Sequence, residues 1–196
     1  AISRLTQTSL QNAFQKYNSV WDGTSAAGAM DAISFVTLGS TQSNIEFNNI
    51  PQTYSHLQVR AIIRNTGTTD YTTKFKFNSD ASASNYTQHR LRGDGTSVTT
   101  YGTGTGTDVG SVFECAPLSS QTANAFGVFI LDILDYTNTN KYKTTRSLSG
   151  FDVNGTGKIN LGSSLWLNTS AITSITILQN SDSMAQYSSF SLYGIK

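Results

Sequence analysis

The chain has 196 residues, 37% of them apolar and only 13% charged, with a formal net charge of +1. This is enough for one large β domain, or one domain with an arm, and its surface rests on Ser, Thr, Asn, Gln and Gly in place of the usual charge. No Lys/Arg run exceeds two residues, which argues against a nucleic-acid interface; no apolar stretch reaches the ~18 residues of a membrane span, and the N-terminus lacks a signal peptide's apolar centre.

Residues 1–22 differ from everything that follows. Leu10, Ala13, Phe14, Tyr17 and Trp21 recur at spacings of three and four, which places them on one stripe of a helix. Thr6 or Thr8 can cap its start and Gly23 can end it. A helix this short is marginal alone, so its stripe needs a surface: its own domain, a sister subunit or a larger particle. Residues 23–30, GTSAAGAM, read as a joint. Residues 1–30 are therefore expected to form a helical arm and joint, and residues 31–196 a β domain.

From Asp31 onward the signals are those of strands. Ile33, Phe35 and Thr37 alternate, as do Ile45 and Phe47. Residues 56–64, HLQVRAIIR, place Leu57, Val59, Ala61 and Ile63 on one face. Phe75 and Phe77 point inward between Lys74 and Lys76, and residues 86–91 form a weaker strand. Residues 99–110, rich in Gly and Thr, read as a loop, with a strand over 112–118 after it. Residues 126–136, FGVFILDILDY, are the most apolar run and read as a strand buried on both faces, with Asp132 and Asp135 in need of partners. Strands over 144–153 and 158–168 follow, and a closing pair over 172–178 and 187–195. In the last run Phe190 and Leu192 face the core, while Tyr187, Tyr193 and Ile195 form a second face, too apolar for open water and a candidate subunit interface. The count is eight to eleven strands separated by polar turns. That pattern predicts an all-β fold: an antiparallel β-sandwich, jelly-roll-like, with a short N-terminal helical arm.

No constellation specifies catalysis. Cys115, the one cysteine, lies in an apolar run and reads as a buried, inert thiol. Asp152, Asn154 and Thr156 imitate the start of a calcium loop, but Ser163 stands where a bidentate glutamate is required, so a β-turn is the better account. His56 and His89 have no partners at ligand spacing, and the Gly102–Gly104–Gly106 alternation lacks the lysine and helix of a phosphate cradle. Glu46 and Glu114 are the only glutamates, and Asp132 and Asp135 differ by three, so no glycosidase pair is set up. No enzyme activity, metal or cofactor is expected. Tyr101, Tyr136, Tyr142 and Trp166 are candidates for stacking on sugar rings.

The segments AISRLTQTSLQNAFQKYNSVWDG, IEFNNIPQTYSHLQVR, FKFNSDASASNYTQH, VFILDILDYTNTNKYKTTRSLSGFDVNGTG, SSLWLNTSAITSITI and SFSLYGIK carry a likeness over nearly the full length. Together they resemble small virion structural and tail-fibre-type proteins of tailed bacteriophages, especially those of cyanobacteria and marine bacteria. The resemblance implies a virion protein, made in the host cytoplasm without a signal peptide. Its partners would be other tail or capsid proteins and itself, as a homotrimer by analogy with phage appendages, with a host surface glycan as a further ligand and neither nucleic acid nor membrane insertion. Leu10, Phe14, Tyr17 and Trp21 would then be the assembly anchor. Two placements compete: a tail-fibre-type, receptor-binding appendage, and a head decoration (cement) protein. A stand-alone carbohydrate-binding module is a third reading.

Overall fold

A computed structural model describes residues 29–180 and 182–196, apart from the side chains of Gly104 and Thr105. The expected arm, with Leu10, Phe14, Tyr17 and Trp21, lies outside the described residues. Within them the chain is all β, with twelve strands and no helix. They are β1 (Met30–Thr37), β2 (Asn44–Phe47), β3 (His56–Ile63), β4 (Thr73–Phe77), β5 (Tyr86–Gly93), β6 (Val98–Thr107), β7 (Gly110–Val112), β8 (Gly127–Ile133), β9 (Lys143–Asp152), β10 (Gly157–Trp166), β11 (Ile175–Gln179) and β12 (Ser189–Ile195). They make an eight-stranded sheet in the order β1-β12-β3-β8-β9-β10-β5-β6 and a four-stranded sheet in the order β2-β11-β4-β7. Every pairing between named strands is antiparallel.

Alternation of side chains along each strand decides which face is covered. Leu57, Val59, Phe129, Leu131, Phe190 and Leu192 of the large sheet are buried in one cluster with Phe47, Phe75, Phe77, Ile175 and Ile177 of the small sheet. At one end of the cluster Trp166 packs edge-on against Phe77, with ring centroids 5.5 Å apart. Its indole N–H donates to Asp80 at 2.7 Å, so the ring is buried with its polar atom satisfied.

The inward face is not uniformly apolar. On β9, β10 and β5 it carries Thr145, Ser147, Ser149, Asn160, Ser164 and Gln88, all buried. The chain following β7 crosses this polar half. There Ser149 Oγ donates to the Phe113 carbonyl at 2.6 Å. Glu114, held at φ 42°, meets Lys158 Nζ at 2.8 Å, Arg90 at 3.4 Å and Arg92 at 3.5 Å.

Four details depart from the sequence reading. A bulge between Ala32 and Ser34 shifts the phase of β1, so Ile33 and Val36 pack on the core while Phe35 points out. Residues 98–107 are a strand rather than a loop, paired with β5 at the sheet edge. The strand expected over 112–118 ends at Val112, because Glu114 leaves the extended conformation. The run 126–136 is not buried on both faces by the described residues: β8 hides Phe129, Leu131 and Ile133 and leaves Val128 and Ile130 exposed.

Candidate functional site: the outer face of the large sheet

The exposed alternate residues of β8 belong to two rows that cross the large sheet. Strand register sets the first as Phe35, Ser191, Arg60, Ile130, Leu148, Leu161 and Leu91. The second, two residues further along the strands, runs Ser189, Ile62, Val128, Gly150, Ile159 and Gly93. The apolar members are wide open: Phe35 is 68% exposed, Ile159 60%, Val128 54% and Leu148 51%. Gly150, with no side chain, lowers the floor between Val128 and Ile159. A Cβ there would run into the Lys158 carbonyl. The result is a trough of ≈ 850 Å³ that reaches from Phe35 on β1 to Ile159 on β10, with Phe126 on its rim.

The other half of the same face has the opposite chemistry. The next row in register is Tyr193, Gln58, Asp132, Arg146 and Ser163. Asp132 accepts from Gln58 Nε2 at 2.7 Å and from Arg146 Nε at 2.8 Å, and Arg60 donates to Gln58 Oε1 at 2.7 Å. Arg60 also lies over the Tyr193 ring, 5.3 Å from its centroid. Asp132 thus has the partners its sequence context demands. The face divides into a self-satisfied polar half and an apolar band without partners among the described residues. A contiguous, mainly apolar surface of this kind is the candidate interaction site of the described residues.

The residues expected at an interface are placed differently from one another. Tyr193 and Ile195 are half-buried on the outer face of β12. Tyr187 is 69% exposed but precedes the strand at φ 71°, so the alternation that grouped the three is broken there. Of the stacking candidates, Tyr136 and Trp166 are core residues, with the Tyr136 hydroxyl donating to the Pro51 carbonyl; only Tyr101 and Tyr142 reach the surface.

Sequence reasoning missed Phe35, Ile62, Leu148 and Ile159, because each stands alone as an exposed apolar residue until register aligns them. One signal was available: Ile62 is apolar where strict alternation on β3 calls for a polar residue.

Several of the other chemistry-bearing groups have structural partners. His56 Nδ1 accepts from the Asp135 amide at 2.9 Å. The calcium-like segment is the β9–β10 hairpin turn, with Asn154 at φ 60° and Gly155 at φ 108° and the Asn154 amide donating to Asp152 at 3.0 Å. Burial pushes the Cys115 thiol up to about 12. Among the described residues no cluster of His, Cys, Asp and Glu is able to hold a metal ion, and no helix is long and apolar enough to cross a membrane. No family model matches the chain, and none of the curated proteins or solved structures compared with it matches.

Proposed function

We propose that this chain is a structural protein of a tailed-bacteriophage particle, displayed on the particle surface and acting through contacts rather than catalysis. On this reading the two sheets form a jelly-roll-like sandwich and residues 1–22 a helical arm whose Leu10, Phe14, Tyr17 and Trp21 anchor the domain. The unit is a homo-oligomer, with a trimer expected by analogy with phage appendages. The observation that carries the reading is the apolar band of the outer face, with Phe35, Val128, Leu148 and Ile159 each more than half exposed. A domain of such low charge with such a face is suited to life inside an assembly, where many modest contacts add through multivalency. The resemblance of the sequence to virion proteins supplies the kind of assembly.

The preferred placement is a tail-fibre-type appendage that presents its loops to a host glycan, where Tyr101 and Tyr142 are the exposed rings available for stacking. The alternative is a head decoration protein, favoured by the breadth of the eight-stranded face, which suits lying flat over a capsid junction. Immunogold labelling of purified particles separates the two. Label at the tail tip is expected, whereas label spread over the capsid refutes the fibre placement and label on neither refutes the virion assignment. Deleting residues 1–22 is expected to abolish incorporation while the β domain still melts cooperatively.

A further inference from the structure

We propose that Asn154, at the tip of the β9–β10 hairpin, is a site of spontaneous covalent modification: its side-chain amide is lost to the backbone nitrogen of Gly155, leaving aspartate or isoaspartate. The inference stands apart from the virion reading.

The chemistry is an intramolecular acyl transfer. The Gly155 nitrogen gives up its proton to solvent base and attacks Asn154 Cγ. A new N–C bond closes a cyclic imide, the Cγ–Nδ2 bond breaks, and the amide nitrogen leaves as ammonia. Water then opens the ring at either carbonyl. Opening at Cγ restores the main chain with an aspartate, and opening at the main-chain carbonyl routes the backbone through the former side chain as isoaspartate. One water enters and one ammonia leaves, and nothing is oxidised or reduced. Adjacency in the chain holds the nucleophile beside its carbonyl.

The hairpin tip supplies what this step needs. Gly155 has no side chain to shield its nitrogen, and a Cβ built on it would meet nothing within 4 Å. Its amide donates to none of the described residues. Asn154 is exposed, and its side-chain amide makes no hydrogen bond among the described residues. A hollow of ≈ 440 Å³ lined by Gly93, Asp94, Gly155 and Lys158 opens beside the turn and admits water. Ring closure rotates the peptide between Asn154 and Gly155 out of its turn conformation. The bonds that hold the turn are Val153 N–H to the Thr156 carbonyl and Asn154 N–H to Asp152, each at 3.0 Å, and neither uses that peptide's N–H. Gly155, at φ 108°, takes up the change of backbone angle.

Other asparagines lack this combination. Asn154 is the one asparagine followed by glycine. Asn78 donates from Nδ2 to the Ala171 carbonyl at 2.8 Å, while its Oδ1 accepts from the Thr173 and Ser174 amides. Asn180 donates to Asp70 at 2.7 Å. Asn160 is buried within β10. Either product at position 154 adds a carboxylate, ionised at neutral pH, two residues from Asp152, and takes the formal net charge of the chain from +1 to zero. Isoaspartate also inserts a methylene into the backbone of a two-residue hairpin loop, whose strands are matched to the shorter path.

The test uses the full chain, held folded at mildly alkaline pH and then digested with trypsin under mildly acidic conditions. Cleavage after Arg146 and Lys158 releases residues 147–158, in which Asn154 is the only asparagine or glutamine, so a gain of one mass unit in this peptide is unambiguous. That gain is expected about tenfold or more ahead of any at Asn78, Asn160 or Asn180. It is expected as two product peptides, one co-eluting with the peptide of the Asn154→Asp variant and the other carrying isoaspartate, while an acidic species grows on ion exchange. Asn154→Gln, whose longer side chain closes the ring poorly, is expected to abolish the gain. An unchanged peptide from the folded chain overturns the proposal, including when a guanidinium-unfolded sample reacts, because the turn then protects the site. Earlier conversion of Asn78, Asn160 or Asn180, or a gain that persists in Asn154→Gln, overturns it as well.

Discussion

Replacing Glu114 by glutamine isolates the charge that binds the chain after β7 to the polar half of the large sheet. The carboxylate is 10% exposed and faces Lys158, Arg90 and Arg92, each about a fifth exposed. Arg92 has a second partner in Asp94 at 2.7 Å, so the cluster carries one excess positive charge in the native protein and two in the variant. At an effective dielectric of about 20 the Lys158 pair alone, at 2.8 Å, has a gross attraction of ~6 kcal/mol, most of it offset by desolvation. Removing one member of a buried pair leaves its partners uncompensated and costs ~3–5 kcal/mol. The lower end applies here, because Asp94 still holds Arg92 and water reaches the cluster edge. About 3 kcal/mol corresponds to a fall of ~6–12 °C in Tm for a domain of this size. Glutamine keeps the length and the strained backbone angle of Glu114, so only the charge changes. Differential scanning calorimetry measures the effect, and the Lys158→Met single and double variants complete a cycle in which the two losses are expected not to add. A loss below ~1 kcal/mol, or full additivity, would refute the claim that this cluster clamps the segment.

Gly127→Ala is expected to be far more disruptive than its size suggests, because the new Cβ runs into the Cys115 carbonyl oxygen, a backbone atom with nowhere to move. A variant as stable as the parent in urea refutes that contact. Cys115 is expected to resist a water-soluble thiol reagent in the native state and to react at the rate of unfolding in urea, since it is fully buried with its thiol beside Thr73 Oγ1 at 3.0 Å. Prompt native labelling would contradict this. Acid stability is expected to depend on Asp80. Burial pushes its carboxyl up, but hydrogen bonds from Asn85, Ser82 and Trp166 together outweigh that and hold it at about 2, below the ordinary value of 3.8. A depressed folded pKa gives stability that is present above about 4 and lost as pH falls through about 2. Asp80→Asn therefore flattens the stability profile between those values, read by Trp166 fluorescence, and an unchanged acid limb counts against the assignment.

The parts of the fold legible in the sequence are those where alternation is strict and the buried face is apolar. Leu57, Val59 and Ile63 on β3, Phe75 and Phe77 on β4, and Phe190 and Leu192 on β12 all occupy the core as the period of two requires. Where local chemistry interrupts the period, the reading slips. Residues 99–110 looked like a loop because alternate glycines contribute no side chain to a pattern; threonine's strand preference and the β5 edge decide the outcome instead. A bulge moved Ile33 and Phe35 to opposite faces, and the positive φ of Tyr187 detached it from Tyr193. The apolar band was illegible for a deeper reason. Its residues come from β1, β3, β8, β9 and β10, and their alignment depends on register between strands distant in sequence, which no local pattern encodes.

The one misreading that carries information is that of residues 126–136. Their composition fits a strand buried on both faces, and the described fold buries only one. The exposed side is not a lapse of patterning confined to β8. Ile62, Val128 and Ile159 repeat it across three strands in one row, and Ile130, Leu148 and Leu161 repeat it in the next. Hydrophobic positions that are coherent across a sheet, yet scattered along the chain, indicate a surface specified as a unit. The adjacent row on the same strands is polar and internally hydrogen-bonded, so nothing in the sheet itself forces apolar residues outward. The composition of β8 is thus that of a strand suited to cover on both faces, while the described residues cover one.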